Sequence, residues 1–128
     1  MVRQRILLGL VAMLAIQCVA EALMAALGAD QSLYGSAPSI LAAIAAAFAG
    51  GWISRGRFLL PALLLWAALW CAIIYLLHRI AAPAGVAAPA SILIDNATAI
   101  ACSCAATVLG AVLGQRARRR RVPAAAAG

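Results

Sequence analysis

Nine of the ten arginines in this chain fall in three clusters, and the stretches between the clusters are apolar. Arg3 and Arg5 open the chain, Arg55 and Arg57 stand near its middle, and Arg116, Arg118, Arg119, Arg120 and Arg121 come near its end; Arg79 stands alone. A spanning helix takes about 20 mainly apolar residues to cross a hydrocarbon core of roughly 30 Å. Each interval between clusters is long enough for two crossings, so all three clusters can lie on one side. The expected fold is an all-α integral membrane protein, a bundle of four transmembrane helices.

Composition supports the same solvent. Apolar residues make up 67 % of the 128 and charged residues 10 %, whereas soluble domains carry roughly 25 % charge. A chain of this length is at most one domain. The net charge of +7 does not point to nucleic acid, because the basic residues flank apolar runs instead of spreading along a soluble face; no nucleic-acid partner is expected.

The spans are expected at about residues 6–27, 37–53, 59–77 and 91–114, forming a membrane domain over 1–115. Residues 116–128 then form a basic, unstructured tail. The first run is longer than the h-region of a signal peptide, and Glu21 fits a cleavage site poorly, so it reads as an uncleaved span. The second run is short and rich in Ala and Gly, and the fourth carries Ser91, Asp95, Asn96, Thr98 and Ser103. Two weak spans alternate with two strong ones, and weak spans gain most from burial against neighbours. Retention of arginine on the cytoplasmic side puts both termini there, in a cell inner membrane of bacterial type. The outer loops then fall near Gly28–Ser36 and His78–Ala90, with Tyr34 and Tyr75 near the outer face and Trp52 and Phe58 beside the inner loop.

At an offset of 52 residues the chain matches itself without a gap. Arg3-Gln4-Arg5-Ile6-Leu7-Leu8 falls on Arg55-Gly56-Arg57-Phe58-Leu59-Leu60, and Ser39-Ile40-Leu41 falls on Ser91-Ile92-Leu93. The offset predicts two parallel helical hairpins, each leaving the cytoplasmic side through a strong span and returning through a weak one. Shared composition is the plainer explanation of the alanine matches.

An ionisable group at membrane depth is rare and functional by default. Glu21 lies about 9 Å and Asp95 about 6 Å from the outer ends of their spans at 1.5 Å per residue. One polar layer of Glu21, Asp95, Arg79, Gln17 and His78 is therefore expected in the outer leaflet. It can act as a structural ion-pair tie through Arg79, as a proton- or cation-handling site, or as groups that simply reach headgroup water. Gln17 shares a helix face with Glu21 at a spacing of four.

Cys18, Cys71, Cys102 and Cys104 all lie in apolar stretches, and Cys102 and Cys104 diverge around a helix by about 200°. They read as small packing residues, and no metal or cofactor is expected. Gly50 and Gly51, in the small-residue second span, are expected to let helices approach closely. Trp66 and Trp70, one turn apart, are expected to lie on that span, as packing or as the wall of a lipid or quinone groove. The run Arg116, Arg118, Arg119, Arg120 and Arg121 should meet anionic lipid headgroups.

Four spans, a chain near this length and Ala20-Glu21 in the first span resemble the small multidrug resistance transporters. That resemblance implies a first-span glutamate that binds drug and proton. It ends at the dipeptide: Leu59–Leu77 lacks the Gly- and Tyr-containing substrate face of that family, and Ser54-Arg55-Gly56-Arg57 does not match its inner loop. No nucleophile–base pair, phosphate loop or metal-ligand spacing is present, so an enzyme is not expected. The leading expectation is a non-enzymatic accessory, assembly or homo-oligomeric membrane subunit that packs against other subunits or itself. The competing one is a small proton-coupled transporter or channel using Glu21 and Asp95.

Overall fold

The computed structural model describes residues 2–28, 37–54, 57–85 and 88–126, the side chains of Pro89 and of residues 121–126 excepted. Tyr34, Arg55 and the Arg121 side chain, placed above in the outer loop, the inner loop and the basic run, lie outside the described residues. All regular structure among the described residues is helical. α1 runs Val2–Ala26, α2 Ala37–Ile53, α3 Leu59–Ala81 with a 3₁₀ turn at Ala82–Ala84, α4 Pro89–Asp95 and α5 Ala97–Ala126. α1, α3 and α5 are long and apolar enough to cross a membrane. α2, with 17 residues, is a shorter apolar helix.

Size is distributed inside out. Leu7, Leu8, Val11, Val19 and Leu23 of α1, and Leu60, Leu64, Leu76 and Ile80 of α3, face outward, whereas the buried positions are mostly Gly and Ala. Water would penalise such a surface, because monomeric soluble proteins rarely expose broad apolar patches; lipid does not.

Local chemistry sets the helix ends. Gly28 and Gly85 adopt left-handed φ of 67° and 69°, which glycine reaches without a Cβ penalty, and they close α1 and the turn after α3. Pro61 lies in the first turn of α3 and Pro89 at the first position of α4, where a missing N–H removes no helical bond. The fourth apolar run is not one helix. At Asn96, φ −100° and ψ 5°, the backbone leaves helical geometry, and the Asn96 side-chain amide donates to the Ile92 carbonyl at 2.8 Å. Beyond the break α5 carries on to Ala126, about 45 Å at 1.5 Å per residue. The stretch expected to be an unstructured tail therefore begins as helix, consistent with its Arg and Ala content. α2 and α4 start at Ala37 and Pro89, the 52-residue offset of the sequence match, but α2 has no counterpart of the Asn96 break.

The packing is tight at the arginine end. A Cβ on Gly9 would come within 2.7 Å of the Gly50 carbonyl, and one on Gly51 within 2.7 Å of the Ala111 carbonyl. Cβ atoms on Gly110 and Gly114 would run into the Ile44 and Phe48 carbonyls. Gly50 thus lies against α1 at Gly9 and Gly51 against α5 at Ala111, while Gly110 and Gly114 of α5 lie against Ile44 and Phe48 of α2. Phe58, expected beside the inner loop, is fully buried and seats its ring against Gly9 and Gly50. It joins Met13, Ala46, Ala47, Ala62 and Ala111 in the core.

Candidate functional site

Toward the other end the helices part, and a cavity of about 220 Å³ opens among α1, α2, α3 and α5. Its polar lining is Gln17 and Glu21 from α1, Ser39 from α2, and Ser103 and Thr107 from α5, with Trp66 and Trp70 from α3; the remainder is apolar, including Leu14, Leu69 and Ile73. The register of the arginines explains this gathering. Gln17 lies 12 residues after Arg5, Ala43 12 before Arg55, Trp70 13 after Arg57 and Ser103 13 before Arg116. Counted from the arginines, these four stand at one height of about 18–20 Å, with Glu21 and Ser39 about one turn further out.

Glu21 is half-buried, and Gln17 Nε2 donates to its Oε1 at 3.1 Å. That i to i+4 bond fixes the carboxylate against the α1 face that lines the cavity. Across the cavity the two indoles share one acceptor: Trp66 Nε1 and Trp70 Nε1 each donate to Ser103 Oγ at 3.0 Å. Ser103 in turn donates to the Ile100 carbonyl at 3.0 Å, and Thr107 Oγ1 donates to the Ser103 carbonyl at 2.8 Å. A serine hydroxyl has one proton and two lone pairs, so these three bonds saturate Ser103. Trp66 and Trp70, expected to lie on α2, are tied instead to α5. Ser103 had drawn notice only as a polar residue in a weak span; the arithmetic from the arginines would have put it level with Trp70.

The expected polar layer is only partly assembled. Glu21 and Gln17 come together. Asp95 is exposed at the end of α4, one residue before the break, and Arg79 is exposed near the end of α3; neither lines the cavity. His78 is half-buried with Nδ1 buried and unpartnered, also away from the cavity. Among the described residues that line the cavity, Glu21 is the one ionisable side chain. The four cysteines are free thiols, and the described residues hold no cluster of three or more His, Cys, Asp or Glu able to bind a metal.

The basic run divides by face. Arg118 Nη1 donates to the carbonyls of Trp52, Ile53 and Ser54 at 2.8, 2.9 and 3.2 Å, and so caps the C-terminal end of α2 from a neighbouring helix. Helix C-termini leave such carbonyls unpaired and carry partial negative charge. Arg118 follows Gly110, Ala111 and Gly114 along the stripe of α5 that faces α2. Arg116, Arg119 and Arg120 are exposed at i, i+3, i+4 spacing, on the opposite side.

No protein-family model, no curated protein and no solved structure matches this chain.

Proposed function

We propose that this chain is a four-span inner-membrane protein with both termini cytoplasmic, and that it acts as a small cation-binding transport protein whose site is the cavity beside Glu21. The observation that carries this reading is a carboxylate, the one charged group among the described lining residues, in a mostly apolar cavity between helices. A carboxylate in low dielectric is costly unless it is protonated or paired with a cation. Exchange of one for the other couples a proton to a transported cation. The role is non-enzymatic and leaves Asp95 outside the site.

The competing role, an accessory or homo-oligomeric subunit, drew its support from the small-residue face of α2. That face is largely spent within the chain, on α1 through Gly50 and on α5 through Gly51. The exposed Arg116, Arg119 and Arg120 suit anionic headgroups on the cytoplasmic side.

The test is proton flux in liposomes that contain the full chain and a pH dye, with an opposing gradient of Na⁺, K⁺ or an organic ammonium applied in turn. The expected result is a flux driven by at least one cation, abolished by Glu21→Gln and kept by Asp95→Asn. If no gradient drives a flux, or if Glu21→Gln leaves it intact, the transport reading is wrong. Equal loss of folded protein in the Glu21 and Gln17 variants would mark their hydrogen bond as a structural tie instead.

A further inference from the structure

We infer that the outward face of α5 is a lipid site, and that its occupant is an anionic glycerophospholipid whose headgroup carries two phosphates, of the cardiolipin type. This rests on the reading of the arginine end as the cytoplasmic one and narrows the headgroup that Arg116, Arg119 and Arg120 meet.

The face is continuous. Ala105, Leu109, Leu113, Arg116 and Arg120 follow one another at spacings of four, four, three and four, and all five are exposed. Those spacings keep them on one side of a helix. The opposite side of α5 is occupied. Gly110, Ala111 and Gly114 meet α2, Ser103 takes the indoles of α3, and Arg118 caps α2. The exposed face changes from apolar to cationic in a single step, between Leu113 and Arg116. A phospholipid makes the same change between its acyl chains and its phosphate.

Depth decides between a lipid and an acidic soluble partner. Arg116 to Arg120 covers about 6 Å along the helix, and the headgroup layer on each side of a bilayer is roughly 5–8 Å thick. With Leu113 in hydrocarbon, the three arginines fall within that layer, where phosphates lie. A soluble acidic protein would have to displace headgroups to reach them, and Leu109 and Leu113 offer it nothing.

Charge sets the class. Of the chain's three carboxylates, Glu21, Asp30 and Asp95, the nearest in sequence to a clustered arginine is Glu21, 16 residues after Arg5. Like charges at i, i+4 repel, so Arg116, Arg119 and Arg120 need anions from outside the chain. Arginine meets phosphate in a bidentate fork. One phosphodiester answers one of three guanidinium groups. Two phosphates joined through a glycerol answer two, and the second contact is then intramolecular.

The experiment uses the full chain in mild detergent. Native mass spectrometry follows the bound fraction as cardiolipin or phosphatidylglycerol is added at equal phosphate. Cardiolipin should bind at least about tenfold more tightly. Arg116→Gln with Arg120→Gln should weaken cardiolipin by roughly 30-fold, the effect of two arginines near an anionic lipid surface. Arg3→Gln with Arg57→Gln removes the same charge from other elements. It should weaken cardiolipin by less than about threefold, because salt screens charges that lie off the α5 face. All four substituted side chains are exposed, so neither variant removes a packing contact.

Equal affinity for the two lipids at equal phosphate overturns the inference. Equal weakening by the two double variants does so as well, since it reports net charge and not this face. Displacement of cardiolipin by an equal concentration of hexaglutamate also overturns it and assigns the arginines to an acidic partner. Its failure is separable from that of the topology. Binding in detergent does not depend on which side of the membrane the arginines face, whereas thiol labelling in intact cells does.

Discussion

Arg118 and its neighbour Arg119 show how one residue type performs two tasks at adjacent positions. Arg118 is half-buried and places one guanidinium nitrogen on three carbonyls of another helix, 64 to 66 residues away in sequence. Arg119 is exposed. Hydrogen bonds to charged groups contribute roughly 1.5–3 kcal/mol each when well shielded, and surface charges contribute little. Arg118→Ala should therefore destabilise the protein by about 1–2 kcal/mol, the partial exposure holding it at the low end of that range. Arg119→Ala should change stability by less than about 0.5 kcal/mol. Unfolding in detergent, followed by far-UV circular dichroism, compares the two. Equal midpoints for both variants would show that the cap on α2 contributes nothing.

Among the elements, the contact of α2 with α5 governs the arginine end of the molecule. Replacing a helical glycine with alanine gains up to about 1 kcal/mol from propensity where space allows. At Gly114 the added carbon meets the Phe48 carbonyl and lies 3.0 Å from the Trp52 nitrogen, both backbone atoms that cannot swing aside. Overpacking costs about 1–3 kcal/mol, so the clash outweighs the propensity gain and Gly114→Ala should destabilise. Leu109→Ala, at an exposed position of the same helix, serves as the control and should shift stability by less than about 0.5 kcal/mol. A Gly114→Ala protein as stable as the parent would mean that α2 and α5 are not in backbone contact there. The helices themselves were legible as apolar lengths between arginines, because that pattern follows from helix rise alone. Gly110 and Gly114 could have been read too, since small residues four apart mark a close-packed helix face. Gln17 and Glu21 were legible because i and i+4 share a face. The grouping of Glu21 with Asp95 and Arg79 failed for a definite reason: similar depth does not specify which way a side chain turns around its helix. Ser103 stayed hidden for the same reason, since its partners depend on how α3 and α5 rotate against each other. The Asn96 break rests on a local bond to Ile92 that apolar periodicity does not register.

For the molecule as a whole, the length of α2 is the critical quantity. Its 17 residues reach about 26 Å at 1.5 Å per residue, short of a core of roughly 30 Å. α1, α3 and α5 are long enough without help. If α2 does not cross, the chain makes three crossings and its two ends lie on opposite sides. If it crosses, nine of the ten arginines share the cytoplasmic side and Arg79 alone faces out. Two features favour the crossing. α2 packs against both α1 and α5 with Ala46, Ala47, Gly50 and Gly51 buried, and a mismatch of a few ångströms carries a small penalty. The carbonyls at its C-terminal end are already paired by Arg118, which removes the usual cost of ending a helix near the hydrocarbon. Single cysteines at Gly85 and Gly128, in a chain with Cys18, Cys71, Cys102 and Cys104 replaced by alanine, read the outcome in intact cells. A membrane-impermeant thiol reagent should label position 85 from outside and reach position 128 only after lysis. A third cysteine at Gln4 completes the test, because it too should be protected until lysis. Labelling of Gln4 and Gly128 from opposite sides would leave α2 on one side of the membrane, break the register that brings Ser39 level with Glu21, and remove the four-walled cavity from the mechanism.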